Sequence, residues 1–216
     1  MFIYMIPLIL RLKRESHKQI ALAQDIIVQE MYKIFNDAVL HGGTAIWRCY
    51  KGKRFSEDID AYLNREGEKI NLFFSNLEKK GFTVKKKKIG ENSLFSLLSI
   101  NRIEVRFEAL FKKKSAVLKE YETAEGNLIT VYTLALEEFI NEKAEAYLKR
   151  LKVRDLYDVF FLLRYTQHKN KVKLSLQKIA KDCKNPKDER DLKILILEGV
   201  VPNVQDMKEY IKNYIE

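Results

Sequence analysis

Gly42-Gly43-Thr44 and, ten residues on, Arg54-Phe55-Ser56-Glu57-Asp58-Ile59-Asp60 are the stretches best suited to chemistry. A glycine pair that opens a helix leaves backbone N–H groups facing an anion, the arrangement that binds phosphate at helix N-termini. Asp58 and Asp60, one residue apart on a strand, project from the same face, with Ile59 turned to the other. Two carboxylates so placed suit a hard cation such as Mg²⁺, which takes a few carboxylate oxygens and completes its shell with the phosphates of its substrate. Together the stretches describe a site for a metal-bound polyphosphate. A D-x-D pair alone is common and reads first as the polar face of a solvated strand, and the glycine turn ahead of it shifts the reading to metal.

Two further groups lie downstream. Leu136, Ile140, Lys143 and Tyr147 recur at helical spacing, so Lys143 falls within an apolar stripe and requires an anionic partner unless its stem snorkels to water. In Arg154-Asp155-Leu156-Tyr157-Asp158 the charged residues stand three and four apart, close enough on a helix to pair.

The elements needed to position these residues follow from periodicity. A helix is predicted over Ser16–Phe35 from Ile20, Ala23, Ile27, Met31 and Ile34. A short buried strand, Ala38–Leu40, delivers the glycines; Thr44–Tyr50 reads as a helix and Asp58–Leu63 as the next strand. A helix over Lys69–Lys80 then precedes strands Phe82–Lys87, Leu94–Ile100 and Arg102–Leu110 of an antiparallel region. Thr133 is expected to cap a helix beginning at Leu134 and running to Leu151. Helices over 153–165, 174–183, 187–197 and 204–214 follow. The expected fold is α/β, a mixed sheet flanked by helices over residues 1–131, followed by a helical lobe over 132–216 that completes the cleft.

Composition sets the bounds. The 216 residues, 46% hydrophobic, suffice for a real core in two small lobes. A net charge of +10 fits a polyanionic partner, and it fits equally a lysine-rich host proteome. Cys49 and Cys183 stand far apart without zinc-ligand spacing, which points to a reducing, cytoplasmic setting. The apolar segment Met1–Leu10 lacks a basic leader and ends at Arg11 and Lys13, too short for a membrane span, and reads as a docking strand or helix turn.

Leu40-His41-Gly42-Gly43-Thr44-Ala45-Ile46 with the Arg54–Asp60 stretch resembles the signature of the AbiEii/AbiGii toxin family of nucleotidyltransferases, relatives of the polymerase-beta-like superfamily. Lys143 and Arg154-Asp155-Leu156-Tyr157-Asp158 are similar to that family's second signature, and the resemblance spans about residues 40–163. It implies that Gly42, Gly43 and the Thr44 hydroxyl contact nucleotide phosphates, that Arg54 and Ser56 line the same pocket, and that Asp58 and Asp60 coordinate Mg²⁺. A third carboxylate from a neighbouring strand is a superfamily habit. Alternation puts Glu104, Arg106 and Glu108 on one face, and Glu104 is the first choice, Glu108 the second. Lys143 would reach the triphosphate and offset charge on leaving pyrophosphate, and Asp155 would orient that lysine or act as a base.

The expected activity is Mg²⁺-dependent transfer of a nucleoside monophosphate from an NTP to an acceptor, the 3′ end of a tRNA. The chain would be the toxin of a toxin–antitoxin or phage-defence pair with a cognate antitoxin and no membrane attachment. Two rivals remain: transfer to a small molecule or a protein hydroxyl, and a silent nucleic-acid-binding module. Lys85–Lys88 and Lys112–Lys114 would be solvated faces or RNA contacts.

Overall fold

A computed structural model describes residues 6–182 and 184–215. Residues 1–5 of the apolar N-terminal segment and Cys183 lie outside them. The chain divides into two compact units, residues 1–51 with 56–134, and residues 52–55 with 135–216.

The first unit is a seven-stranded mixed sheet with helices. Its strands are β1 (Val39–His41), β2 (Ile59–Leu63), β3 (Thr83–Ile89), β4 (Ser93–Ile100), β5 (Ile103–Phe111), β6 (Val117–Glu122) and β7 (Leu128–Thr133). Their order across the sheet is β3-β4-β5-β2-β1-β7-β6. β2 runs antiparallel to β1 and parallel to β5, and β1 runs parallel to β7. The helices are α1 (Leu8–Arg11), α2 (Glu15–Ile34), α3 (Gly42–Cys49) and α4 (Gly67–Lys79).

Period-two burial separates the two faces of the sheet. Ile59, Ala61 and Leu63 of β2 share the covered face with Val105, Phe107 and Ala109 of β5, all buried. Phe107 meets Phe73 of α4 at 4.9 Å between ring centroids. The opposite face carries Asp60, Tyr62, Arg106, Glu108 and Tyr132. A buried ion pair sits under the covered face: Arg48 of α3 donates to Asp25 of α2, which also accepts from the Tyr121 hydroxyl at 2.9 Å and the Ala124 N–H at 2.6 Å. The lysine run of residues 85–88 lies on the edge strand β3, where charge discourages pairing with another chain.

The second unit is helical: α5 (Leu136–Arg150), α6 (Val153–Leu162), α7 (Lys169–Asp182), α8 (Leu192–Leu195) and α9 (Val204–Ile215). Among the described residues no helix is long and apolar enough to cross a membrane.

Three expectations change. The hairpin of β6 and β7 is new, because several of its apolar residues, Leu118 and Leu128 among them, are exposed and blur the alternation. Thr133 does not cap a helix: it ends β7, fully buried, and its hydroxyl donates to Leu40 O at 2.6 Å, while α5 begins after Ala135 with no side-chain cap. The helix expected over 187–197 is a 3₁₀ turn at Glu189–Asp191 followed by the four-residue α8, because Ile196 turns extended and bridges to Arg54.

Candidate active site

Gly42 has φ +73°, a left-handed conformation open to glycine at little cost. It also has no room for a side chain, since a Cβ there would lie 2.7 Å from Asp60 Cγ and overlap the carboxylate. The glycine therefore lets the start of α3 press against Asp60. No side chain caps that helix, so its first-turn N–H groups remain for an anion beside the carboxylate.

Thr44 has a different task from the one expected. It is fully buried, and its hydroxyl donates to the Asp58 main-chain carbonyl and accepts from Gln24 Nε2 at 3.3 Å. Gln24 also donates to Ser56 O at 2.9 Å. Thr44 and Gln24 thus tie the segment entering β2 to α3 and α2, which fixes where the two aspartates emerge. The sequence does carry a signal for Gln24: it is a polar residue on the Ile20–Ile27 side of an apolar helical stripe.

Asp58 lies just before β2 and Asp60 is its second residue. Arg106 grips the Asp58 carboxylate with two donors, Nε to Oδ1 at 2.9 Å and the second through Nη2. That hydrogen bond, set against partial burial, holds the Arg106 guanidinium still more firmly protonated. Strand register decides between the two glutamates: Glu108 stands directly beside Asp60, whereas Glu104 is level with Ser99 of β4 and beyond the start of β2. Four strand residues, about 13 Å, separate Glu104 from that position. The third carboxylate beside Asp60 is Glu108, not Glu104.

These oxygens fit a magnesium ion. They are hard donors, Asp60 borders the uncapped start of α3, and Asp60 and Glu108 are only partly buried. Among the described residues no group of three or more acidic, histidine or cysteine side chains is placed to hold a metal ion. An open site on one or two carboxylates, completed by substrate phosphates, is what Mg²⁺ favours. Arg106 would have to release Asp58 for that carboxylate to take part.

Arg54 and the second signature belong to the helical unit. Arg54 is buried and its Nε and Nη2 both donate to Asp158, each at 2.6 Å, so the guanidinium expected to line a nucleotide pocket is committed to a carboxylate. Lys143 Nζ lies 2.9 Å from Asp158 Oδ2 and 3.7 Å from Asp155 Oδ1. Asp155 is fully buried and is gripped by Arg150 at 2.6 and 2.7 Å. Asp158 pairs with Arg54 and Lys143, not with its helical neighbour Arg154. Burial pushes the Asp158 carboxyl up, but Arg54 and then Lys143 outweigh it and hold the group below the usual carboxylate range. Arg150 escaped the sequence reading, as did the pairing of Arg106 with Asp58, because nothing local marks either partner.

The other residues of interest have structural roles. His41 stacks on Tyr62 at 4.0 Å, and Trp47 is buried with Arg48 over its ring. Burial pushes the Cys49 thiol up to about 12, which removes it as a nucleophile.

A mixed sheet with a glycine turn set against an aspartate, in a chain that also carries a helical lysine and an R-D-x-Y-D segment, defines a nucleotidyltransferase. The chain belongs to the family of AbiEii nucleotidyl transferase toxins of type IV toxin–antitoxin systems, whose model matches residues 31–213. Membership brings an NTP as substrate and an antitoxin as partner. Among solved structures, JHP933 from Helicobacter pylori is similar, with TM-score 0.67 and 18% identity over 94% of this chain and 91% of that one. MenT4, a nucleotidyltransferase toxin from Mycobacterium tuberculosis, is similar with TM-score 0.66 and 18% identity over 93% and 82%. At that identity the likeness carries the fold. No curated protein matches the sequence closely enough to report.

Proposed function

We propose that this toxin uses Mg²⁺ to transfer a nucleoside monophosphate from an NTP to the terminal hydroxyl of an RNA, the 3′ end of a tRNA, in the cytoplasm and as a defence against phage. The observation that carries the metal reading is the contact of Gly42 with Asp60, which sets an anion-binding helix start against a cation-binding carboxylate. The net charge of +10 supports a polyanionic acceptor.

In the reaction the acceptor hydroxyl gives up its proton to water, its oxygen attacks the α-phosphorus to form a P–O bond there, and the bond to the β-phosphate oxygen breaks to release pyrophosphate. Mg²⁺ held by Asp58 and Asp60, with Glu108 beside them, would neutralise the polyphosphate and acidify the attacking hydroxyl. The N–H groups at Gly42 and Gly43 hold the phosphates, and Thr44 and Ser56 keep the aspartates in place. Lys143 is proposed to offset charge on the leaving pyrophosphate. Asp155 is proposed to steady that lysine, a role supported by their 3.7 Å separation.

Incubating the protein with each labelled NTP and total tRNA, with Mg²⁺ or with EDTA, tests this. Label in RNA only when Mg²⁺ is present is the expected result. Label entering protein or a small molecule instead, or transfer that persists in EDTA, overturns it.

A further inference from the structure

A cavity of about 460 Å³ opens in the sheet unit and is not part of the site just described. Asn36, Tyr62, Lys112, Lys113, Lys114 and Tyr132 are among the residues lining it. Val39, Tyr62 and Tyr132, which also line it, all belong to the sheet face that carries Asp60 and Glu108. Tyr62 is two residues along β2 from Asp60, about 7 Å, so the cavity begins one side-chain step from the carboxylates. β1 runs from Val39 at the cavity to His41, directly before the glycine turn. The polyphosphate site and the cavity therefore flank Asp60 on opposite sides.

That placement matters for the chemistry. In phosphoryl and nucleotidyl transfer the attacking and leaving oxygens lie roughly in line across the reacting phosphorus, so the acceptor enters on the side of that phosphorus away from the leaving pyrophosphate. With the donor's phosphates at the glycine turn, the cavity is on the acceptor's side. Its lining suits a nucleotide: three consecutive lysines for a phosphodiester, and Tyr132, 40% exposed, as a surface for a base. The Tyr62 ring is already covered, by His41 on one side and by Lys114 Nζ at 5.3 Å. Asp37 is the one acid in the lining, and its carboxylate accepts from the Asn64 amide.

We infer that this cavity is an acceptor subsite that holds a nucleotide of the RNA strand next to its reacting 3′ end, with the phosphodiester on Lys112 and Lys113 and the base on Tyr132. The inference rests on RNA being the acceptor.

The test uses the full chain, a fluorescently labelled single-stranded RNA with a free 3′ hydroxyl, and anisotropy over a salt series. Lys112→Ala with Lys113→Ala should weaken binding about tenfold and reduce the slope of log K against log salt by about 1.4, or 0.7 for each lost phosphate contact. Tyr132→Leu should weaken it roughly tenfold while Tyr132→Phe retains it. Mg-NTP binding measured by calorimetry without RNA should be unchanged in all three, as should the melting temperature. Unchanged RNA affinity and salt slope, or a loss of NTP affinity in the same variants, overturns the subsite. Transfer to RNA that these variants leave intact would sink the subsite and spare the proposed function. Cavity-dependent RNA binding with no transfer to any RNA would sink the proposed function, and with it the acceptor role, leaving the cavity an RNA-binding site only.

Discussion

Two acidic clusters carry the motifs of this chain, and they differ in whether their carboxylates can change partner. On the sheet unit, Asp58, Asp60 and Glu108 are partly exposed, and Arg106, which grips Asp58 and reaches Glu108 at 3.9 Å, is a side chain that is 43% exposed. In the helical unit, Asp155 and Asp158 are at most 1% exposed, and Arg54, Lys143 and Arg150 saturate them. An exposed pair costs little to open, whereas a buried charge left alone is expensive. Motif residues in the sheet unit are thus held by pairings that solvent can open, and those in the helical unit first hold that unit together.

The largest expected effects test this division directly. Asp60→Ala should reduce transfer by more than about 100-fold, beyond the usual loss from removing a metal's outer-shell partner, with little change in melting temperature. Asp158→Ala should do the opposite kind of damage, since it leaves Arg54 buried and unpaired. A loss of about 3–5 kcal/mol and a fall in melting temperature of roughly 10 °C are expected by calorimetry. If Asp158→Ala kept its stability and lost only activity, the division would fail.

Gly42→Ala comes next and should affect both properties. The left-handed φ costs about 1–2 kcal/mol with any side chain, and the methyl overlaps the Asp60 carboxylate. Transfer should fall by more than the stability loss explains, because the displaced group is the proposed metal ligand. Arg106→Gln should have a smaller effect: with Asp58 released, the Mg²⁺ concentration for half-maximal transfer should fall severalfold. A rise instead would show that Arg106 assists the metal site and does not compete for its carboxylate.

How much of this the sequence discloses depends on how local each cause is. The glycine turn and the paired aspartates are legible because a helix start and a strand face are set by neighbouring residues. Glu108 was ranked behind Glu104 because alternation gives a face and not a register, and the register of β5 on β2 is fixed by pairing across almost fifty residues. Arg54 was misjudged for a similar reason. It stands four residues before Asp58 in the chain, yet it belongs to the helical unit, where its partner Asp158 lies 104 residues away in sequence. Thr133 has the residue type of a helix cap, but its hydroxyl donates to Leu40 O, across a strand pairing the sequence does not reveal. The glycine turn opens a helix that no side chain caps, as its spacing implies, whereas its threonine is a strut whose hydroxyl donates to the Asp58 carbonyl.

The smallest expected effect separates the two units by pH. Asp158 has a folded pKa below its unfolded value near 3.9, so its contribution is present above about pH 4 and is lost as the pH falls toward the folded value. Asp25 under the sheet behaves oppositely. Burial raises it, and Arg48, the Ala124 N–H and Tyr121 only partly oppose that. With the folded value above the unfolded one, Asp25 contributes fully below about pH 4, and this is lost as the pH rises through the folded value. The same residue type thus has opposite signs because Asp158 has two cations at hydrogen-bonding distance and Asp25 has one. Hydrogen exchange read at the α5 and α6 amides and at the β2 and β5 amides should therefore diverge in acid. Below about pH 4 the helical unit should lose protection first, and Asp158→Asn should flatten its pH response while Asp25→Asn leaves it unchanged. A parallel loss in both units at the same pH would show that net charge, and not these two carboxylates, sets the acid limit.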